Sequence, residues 1–201
     1  MIYIIVTTSV NNKFGVHNDV HRQNRYIESI TQLLKLINND INIKPIIVEN
    51  NGFRHTYLDN LKCDIFYTDN NINYKNKAHT ELVDIKDVIN RYNIKDDDII
   101  IKITGRYKLL NSHFINLVKN NEYDAYVKFF NVCTLTYRFD DCVLGLFAIK
   151  CKYLKDFKYN FVRSPECEFA DYVRKKIYNI MEVDQLYLEC CFADNLRILN
   201  V

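Results

Sequence analysis

The chain has 201 residues, 48% of them hydrophobic, with 27 Lys and Arg against 25 Asp and Glu. This length and apolar content suit one sizeable core, and a near-balanced charge without a basic block argues against general nucleic-acid binding. Seven cysteines lacking Cys-x-x-Cys or Cys/His metal spacing read as reduced thiols, the usage of a cytoplasmic protein.

The apolar start Met1–Val6 has no basic region before it and stops at Thr7-Thr8-Ser9, so it reads as a strand rather than a signal peptide. No apolar run approaches the roughly 20 residues that span a bilayer, and no transmembrane segment is expected. The first strand is placed at Ile2–Thr7. A helix follows over Tyr26–Ile37, with Ile27, Ile30, Leu33, Leu34 and Ile37 at helical spacing. Pro45–Asn50 is the second strand, ended by the turn signal Asn50-Asn51-Gly52, and Asp64–Tyr67 is a short third. A helix from about Ala78 to Tyr92 presents Leu82, Ile85, Val88 and Ile89 on one face. The acidic turn Asp96-Asp97-Asp98 then feeds a fourth strand, Asp98–Ile103, which ends in Thr104-Gly105-Arg106-Tyr107. Alternating strands and helices predict parallel βαβ units, and continuous apolar strands predict helices on both faces. Further on, Tyr123–Phe130 and Cys142–Lys150 read as strands with no full helix between them, which turns the sheet mixed. Pro165–Tyr178 opens with Pro and two acids, a helix N-terminus, and Tyr187–Asn195 fits either element.

Ligands in open α/β sheets sit beyond the carboxyl ends of the strands, which singles out the residues placed there. Thr7 and Thr8 end the first strand and Asn50 the second. Lys75, Asn76 and Lys77 enter the second long helix, where ammonium groups and free N–H groups together suit a phosphate. Thr104 and Gly105 form the turn that delivers Arg106, whose guanidinium can clamp a diphosphate with paired bonds. The strand length between Asp98 and Arg106, about 3.3 Å per residue, keeps the two from pairing. Acids gather at Asp140-Asp141 before one strand and at Glu166, Glu168 and Asp171 at the late helix start, where they also favour the helix dipole. The histidines, His17 and His21 included, form no metal motif.

Tyr67-Thr68-Asp69-Asn70, Asn76-Lys77, Glu81, the acidic turn and Lys102–Tyr107 together resemble small GT-A-type glycosyltransferases, particularly those of giant viruses and bacterial surface-polysaccharide clusters. Ala78 stands where Gly is common in them. Asp141–Lys150 resembles their acceptor-side strand, and Glu166–Phe169 the helix that follows it. The resemblance covers nearly the whole chain and implies a single Rossmann-like GT-A domain, a mixed sheet flanked by helices. Its nucleotide-sugar half would span about 1–107 and its acceptor half about 108–201. It implies a nucleoside-diphosphate-sugar donor, facing Thr7, Thr8, Asn50, Asn76 and Lys77, a glycan or glycoprotein acceptor, and a host's cytoplasm as location if the gene is viral. Most such enzymes carry Asp-x-Asp at the end of the fourth strand to hold Mn²⁺ or Mg²⁺. Thr104-Gly105-Arg106 stands there instead, so either Arg106 replaces the metal's charge or other acids hold a metal.

Transfer needs a charge sink for the leaving group and, in an inverting reaction, a base for the acceptor hydroxyl. Arg106, Lys75 and Lys77 are the expected sink; Glu168 is the expected base, with Asp141 the second candidate. A non-catalytic nucleotide- or glycan-binding module and a sugar-1-phosphate nucleotidyltransferase stay open as alternatives, although Val10–Gly15 is a poor version of the latter's Gly-rich loop.

Overall fold

A computed structural model describes residues 1–11, 20–74, 76–131 and 136–201. Its strands, in chain order, are β1 (Ile2–Thr8), β2 (Ile43–Glu49), β3 (Asp64–Tyr67), β4 (Ile99–Thr104), β5 (Lys108–Leu109), β6 (Ala125–Val127), β7 (Leu146–Lys150), β8 (Ile180–Glu182), β9 (Leu188–Cys191) and β10 (Ile198–Asn200). Its helices are α1 (Val20–Ile37), α2 (Asn70–Asn73), α3 (Lys77–Arg91), α4 (His113–Asn120), α5 (Cys151–Asp156) and α6 (Pro165–Lys176).

Seven strands form one sheet in the order β3-β2-β1-β4-β7-β6-β8. The first four are parallel, β7 runs antiparallel to both β4 and β6, and β8 returns parallel to β6. A small antiparallel sheet, β10-β9-β5, lies beside it. The mixed sheet flanked by helices is the architecture expected from the sequence.

Side-chain alternation sorts the strands between two cores. Ile4, Val6, Ile101 and Ile103 pack with α1 and α4, whereas Ile5 and Ile100 pack with α3, α5 and α6. Lys102 follows the same alternation, so the one lysine of β4 points to the α3 face.

Several boundaries differ from the sequence expectation for identifiable reasons. Helix α1 begins at Val20, because Arg22 and Arg25 are buried through hydrogen bonds instead of an apolar stripe. The strand expected over Cys142–Lys150 starts only at Leu146. Before it the chain bends across the end of β4, where Gly145 O accepts from Thr104 N at 2.9 Å and Leu144 O from Lys102 Nζ at 2.8 Å. The strand expected over Tyr123–Phe130 shrinks to three residues, since the Asp124 carboxylate bonds Lys150 and Tyr153 and Phe129 stacks on Phe139. The ambiguous segment becomes β9 and a turn. Helix α4 and the small sheet were not foreseen.

Asp84 lies fully buried on α3 and ties three segments together. It accepts from Asn50 Nδ2 at 2.7 Å, Thr68 Oγ1 at 3.0 Å and Asn70 Nδ2 at 2.8 Å. Burial pushes its carboxyl up from 3.8 to about 7 against the opposing pull of those bonds. An acid whose folded value is raised favours the native state below its unfolded value, and that contribution is lost as pH rises through the folded value. The melting temperature should therefore fall between about pH 4 and pH 7, and Asp84→Asn should flatten that fall; an identical slope in the variant would show that Asp84 is not the group responsible. Gly145 supplies a second test. A Cβ there would stand 2.1 Å from Tyr107 Cε2, so Gly145→Ala should destabilise the protein by about 1–3 kcal/mol in denaturant titration.

Candidate active site

The carboxyl ends of β1, β2 and β4 open on a cavity of about 550 Å³ at the point where strand order reverses, with β2 on one side of β1 and β4 on the other. Its two sides carry opposite charge.

Arg22, Lys77 and Arg106 line the cationic side. Arg22 sits in the first turns of α1 and is only 2% exposed; Arg106 follows β4. Both guanidiniums donate to the Tyr26 hydroxyl oxygen, Arg22 Nη2 and Arg106 Nη1 each at 3.1 Å. Arg22 Nη2 also donates to Ser9 O at 2.9 Å, and Arg106 Nε to Cys191 O at 3.3 Å. Arg22 Nε and Nη1 remain buried without a partner. Unsatisfied donors on a buried charge are costly, and an anion in the cavity would satisfy them. Burial first, and the neighbouring Arg106, hold the Arg22 guanidinium below its ordinary range. Burial and both arginines likewise lower Lys77. Gly105 lets this cluster close, because a Cβ there would come within 2.8 Å of Thr8 Cγ2 and 3.0 Å of the Tyr26 ring.

Glu81, Asp141 and Glu166 line the acidic side. Glu81 stands one helical turn after Lys77 on α3. Its Oε1 accepts from Thr7 Oγ1 at 2.5 Å and pairs with Lys102 Nζ at 2.8 Å. Lys102 is buried, and its remaining protons go to Thr104 Oγ1 at 2.9 Å and Leu144 O at 2.8 Å. Burial lowers its ammonium and the Glu81 carboxylate opposes that shift. Asp141 Oδ1 accepts from Cys142 N at 2.8 Å. Burial raises both Asp141 and Glu166, and each has a carboxylate neighbour that adds to the effect.

Of the residues singled out from the sequence, Thr7, Thr8, Asn50, Lys77, Thr104, Arg106 and Asp141 line this cavity. Thr8 is itself held, donating to Val48 O at 2.9 Å and to the buried Glu49 at 2.6 Å. Gly105 packs behind the lining. Two others are not brought to it. Asn76 is the N-cap of α3, its side chain accepting from Ala78 N at 3.0 Å and His79 N at 3.2 Å, so it occupies the N–H groups expected to receive a phosphate. Glu168, the expected base, accepts from Asn160 N and Val162 N, each at 2.7 Å, and from Arg163 N at 3.1 Å. Burial works against its charge, yet these donors outweigh it and hold the carboxylate below the usual range. Glu166, two residues earlier, faces the cavity in its place. Lys75 and His17 lie outside the described residues. Sequence reasoning passed over Arg22 and Tyr26, whose polar helix turn carries no motif. Lys102 did leave a signal, a single charge inside an apolar strand.

The metal expectation can be tested on the ligand set. Among the described residues no three His, Cys, Asp or Glu side chains converge to hold an ion. Glu81 is committed to Lys102, and two guanidiniums stand where a divalent cation would need carboxylates. The residues present do not fit a carboxylate-held metal at this point. No helix among the described residues is long and apolar enough to cross a membrane.

No family model matches the chain, and no curated protein matches its sequence. Solved structures do. Residues 1–349 of S. aureus TarS align over 93% of this chain at 11% identity with a TM-score of 0.59. The mannosyltransferase PcManGT from Pyrobaculum calidifontis, solved with GDP-Man and Mn2+, aligns over 90% at 11% identity with a TM-score of 0.56. The inositol-1-phosphate CTP transferase from T. maritima aligns over 90% at 13% identity with a TM-score of 0.52. This chain spans 59% of that TarS chain, 54% of PcManGT and 84% of the CTP transferase. The fold is therefore GT-A-like, the fold shared with these solved structures.

Proposed function

We propose that this chain is a glycosyltransferase that moves a sugar from a nucleoside-diphosphate-sugar to a hydroxyl of a glycan or glycoprotein acceptor. The observation that carries this reading is the cationic wall itself: Arg22, whose guanidinium keeps two N–H groups buried without a partner, lines the cavity together with Arg106 and Lys77. A diphosphate is the anion that matches such a cluster in size and charge. Residues 1–107 supply most of this donor wall, and Asp141 and Glu166 supply the acceptor wall.

In an inverting transfer the acceptor hydroxyl attacks the anomeric carbon as the bond from that carbon to the diphosphate oxygen breaks. The hydroxyl proton passes to Glu166, and Arg22, Arg106 and Lys77 take up the charge that grows on the diphosphate. Glu166 suits the base because burial raises its carboxyl toward neutral pH, which strengthens it as a proton acceptor. A retaining transfer would use the same cationic wall without the base.

Arg22→Ala and Arg106→Ala should each lower kcat about 10²-fold, the usual worth of a preorganised donor to a developing anion. Wild-type turnover in both would remove the cationic wall from the mechanism. Glu166→Gln should lower turnover about 10²-fold with donor binding retained, whereas an unaffected rate would exclude it as base. Saturating EDTA should leave turnover intact; complete loss restored by Mn²⁺ would overturn the replacement of metal by arginine. Release of pyrophosphate from a nucleoside triphosphate and a sugar 1-phosphate, in place of nucleoside diphosphate release, would favour the nucleotidyltransferase reading.

A further inference from the structure

A line of aromatic rings leads from the core to the rim of the cavity and has no part in the chemistry above. Buried Phe157 contacts Tyr159 at 4.7 Å between centroids, and Tyr159 contacts Phe161 at 5.5 Å. His79, in the first turn of α3, meets Phe161 at 5.7 Å and Tyr74 at 4.8 Å. The line thus bridges the gap between the start of α3 and the segment before α6. Its outer rings face solvent, with Phe161 44% and Tyr74 38% exposed.

Phe161 is held in a backbone conformation that its side chain disfavours, at φ 58°. Glu168 holds it there. Its carboxylate accepts from the N–H groups of Asn160, Val162 and Arg163, on both sides of the ring. Three N–H bonds to one carboxylate thus fix a disfavoured backbone that presents an exposed aromatic ring. The platform is continuous with the acidic wall: Tyr159 lines a small cavity with Ala78 and Glu81, while Ser164 and Glu166, just beyond the loop, line the main one.

We propose that Tyr74, His79 and Phe161 form a platform on which a neutral sugar ring of the acceptor stacks, with Glu168 as its positioning residue. This rests on the transferase reading above. The rings meet edge to face at 61–63°, so the apolar C–H face of a sugar lies against one exposed ring while the next flanks its edge, and its hydroxyls are donors to the carboxylates Asp141 and Glu166. An anionic ligand would be repelled by those same groups.

The chain contains no tryptophan, so Phe161→Trp installs a single indole that can be excited selectively above the tyrosine band, while keeping an aromatic ring. Titration with the methyl glycosides of glucose, galactose, mannose and N-acetylglucosamine should give a saturable emission change for at least one of them. Adding Glu168→Gln should weaken that response about 10-fold, the loss expected when a preorganised loop is released. Tyr74→Trp at the other end of the platform is the second reporter. No response to any glycoside in either reporter, or an equal response to tetramethylammonium, overturns the platform; a response indifferent to Glu168→Gln overturns the positioning role. UDP and GDP binding, followed on the same proteins by thermal shift, reports the donor reading separately. Glycoside response without nucleotide binding supports the platform and removes the transferase, and the converse does the opposite.

Discussion

One phenol oxygen receives two guanidinium groups in this protein, and much of the cavity follows from that meeting. Tyr26 Oη accepts from Arg22 and Arg106 and also from Ser9 N, so a single neutral group gathers the exits of β1 and β4 and the start of α1. A phenol does not neutralise two positive charges. The cluster is held together by hydrogen bonds and packing: burial holds Arg22 and Lys77 below their ordinary range, whereas at Arg106 burial is outweighed by the contact with Tyr26. Much of the surrounding geometry serves this closeness: the absent side chain at Gly105, the Arg25 Nε bond to Arg106 O at 2.8 Å, and the Arg106 bond to β9.

The opposite wall depends on a second buried charge, one whose protons all find partners. Lys102 spends its protons on Glu81, Thr104 and Leu144, which belong to α3, to its own strand and to the segment before β7. A buried ion pair of this kind adds little net stability, but removing either partner would strand the other. Its effect is positional. It fixes the Glu81 carboxylate beside the cavity and draws the segment before β7 against the end of the central strand.

How far the residues alone disclosed all this depends on what kind of signal each left. Runs such as Ile99–Ile103 and the stripe Leu82, Ile85, Val88 and Ile89 announce strands and helices because burial is periodic, and the sheet that they build matched expectation. That Thr7, Asn50 and Arg106 line the cavity was legible because they stand at the carboxyl ends of strands, where open α/β sheets leave a crevice. Arg22 left no trace, since its burial comes from Tyr26 and Ser9, which are near in space through a loop and a helix turn that no periodicity predicts. Glu166 and Glu168 show the limit of helical phase. Two residues apart on one helix start, they point to different neighbours, and only the path of the chain before α6 determines which one meets the cavity.

The bonds from Thr104 N to Gly145 O and from Lys102 Nζ to Leu144 O join the two walls of the cavity at adjacent positions of one central strand. Walls fastened to the same strand cannot part as two rigid bodies about a hinge. The width of the cleft is thus a property of the sheet, set by the frame of its central strand rather than by how two separate bodies come to lie against each other.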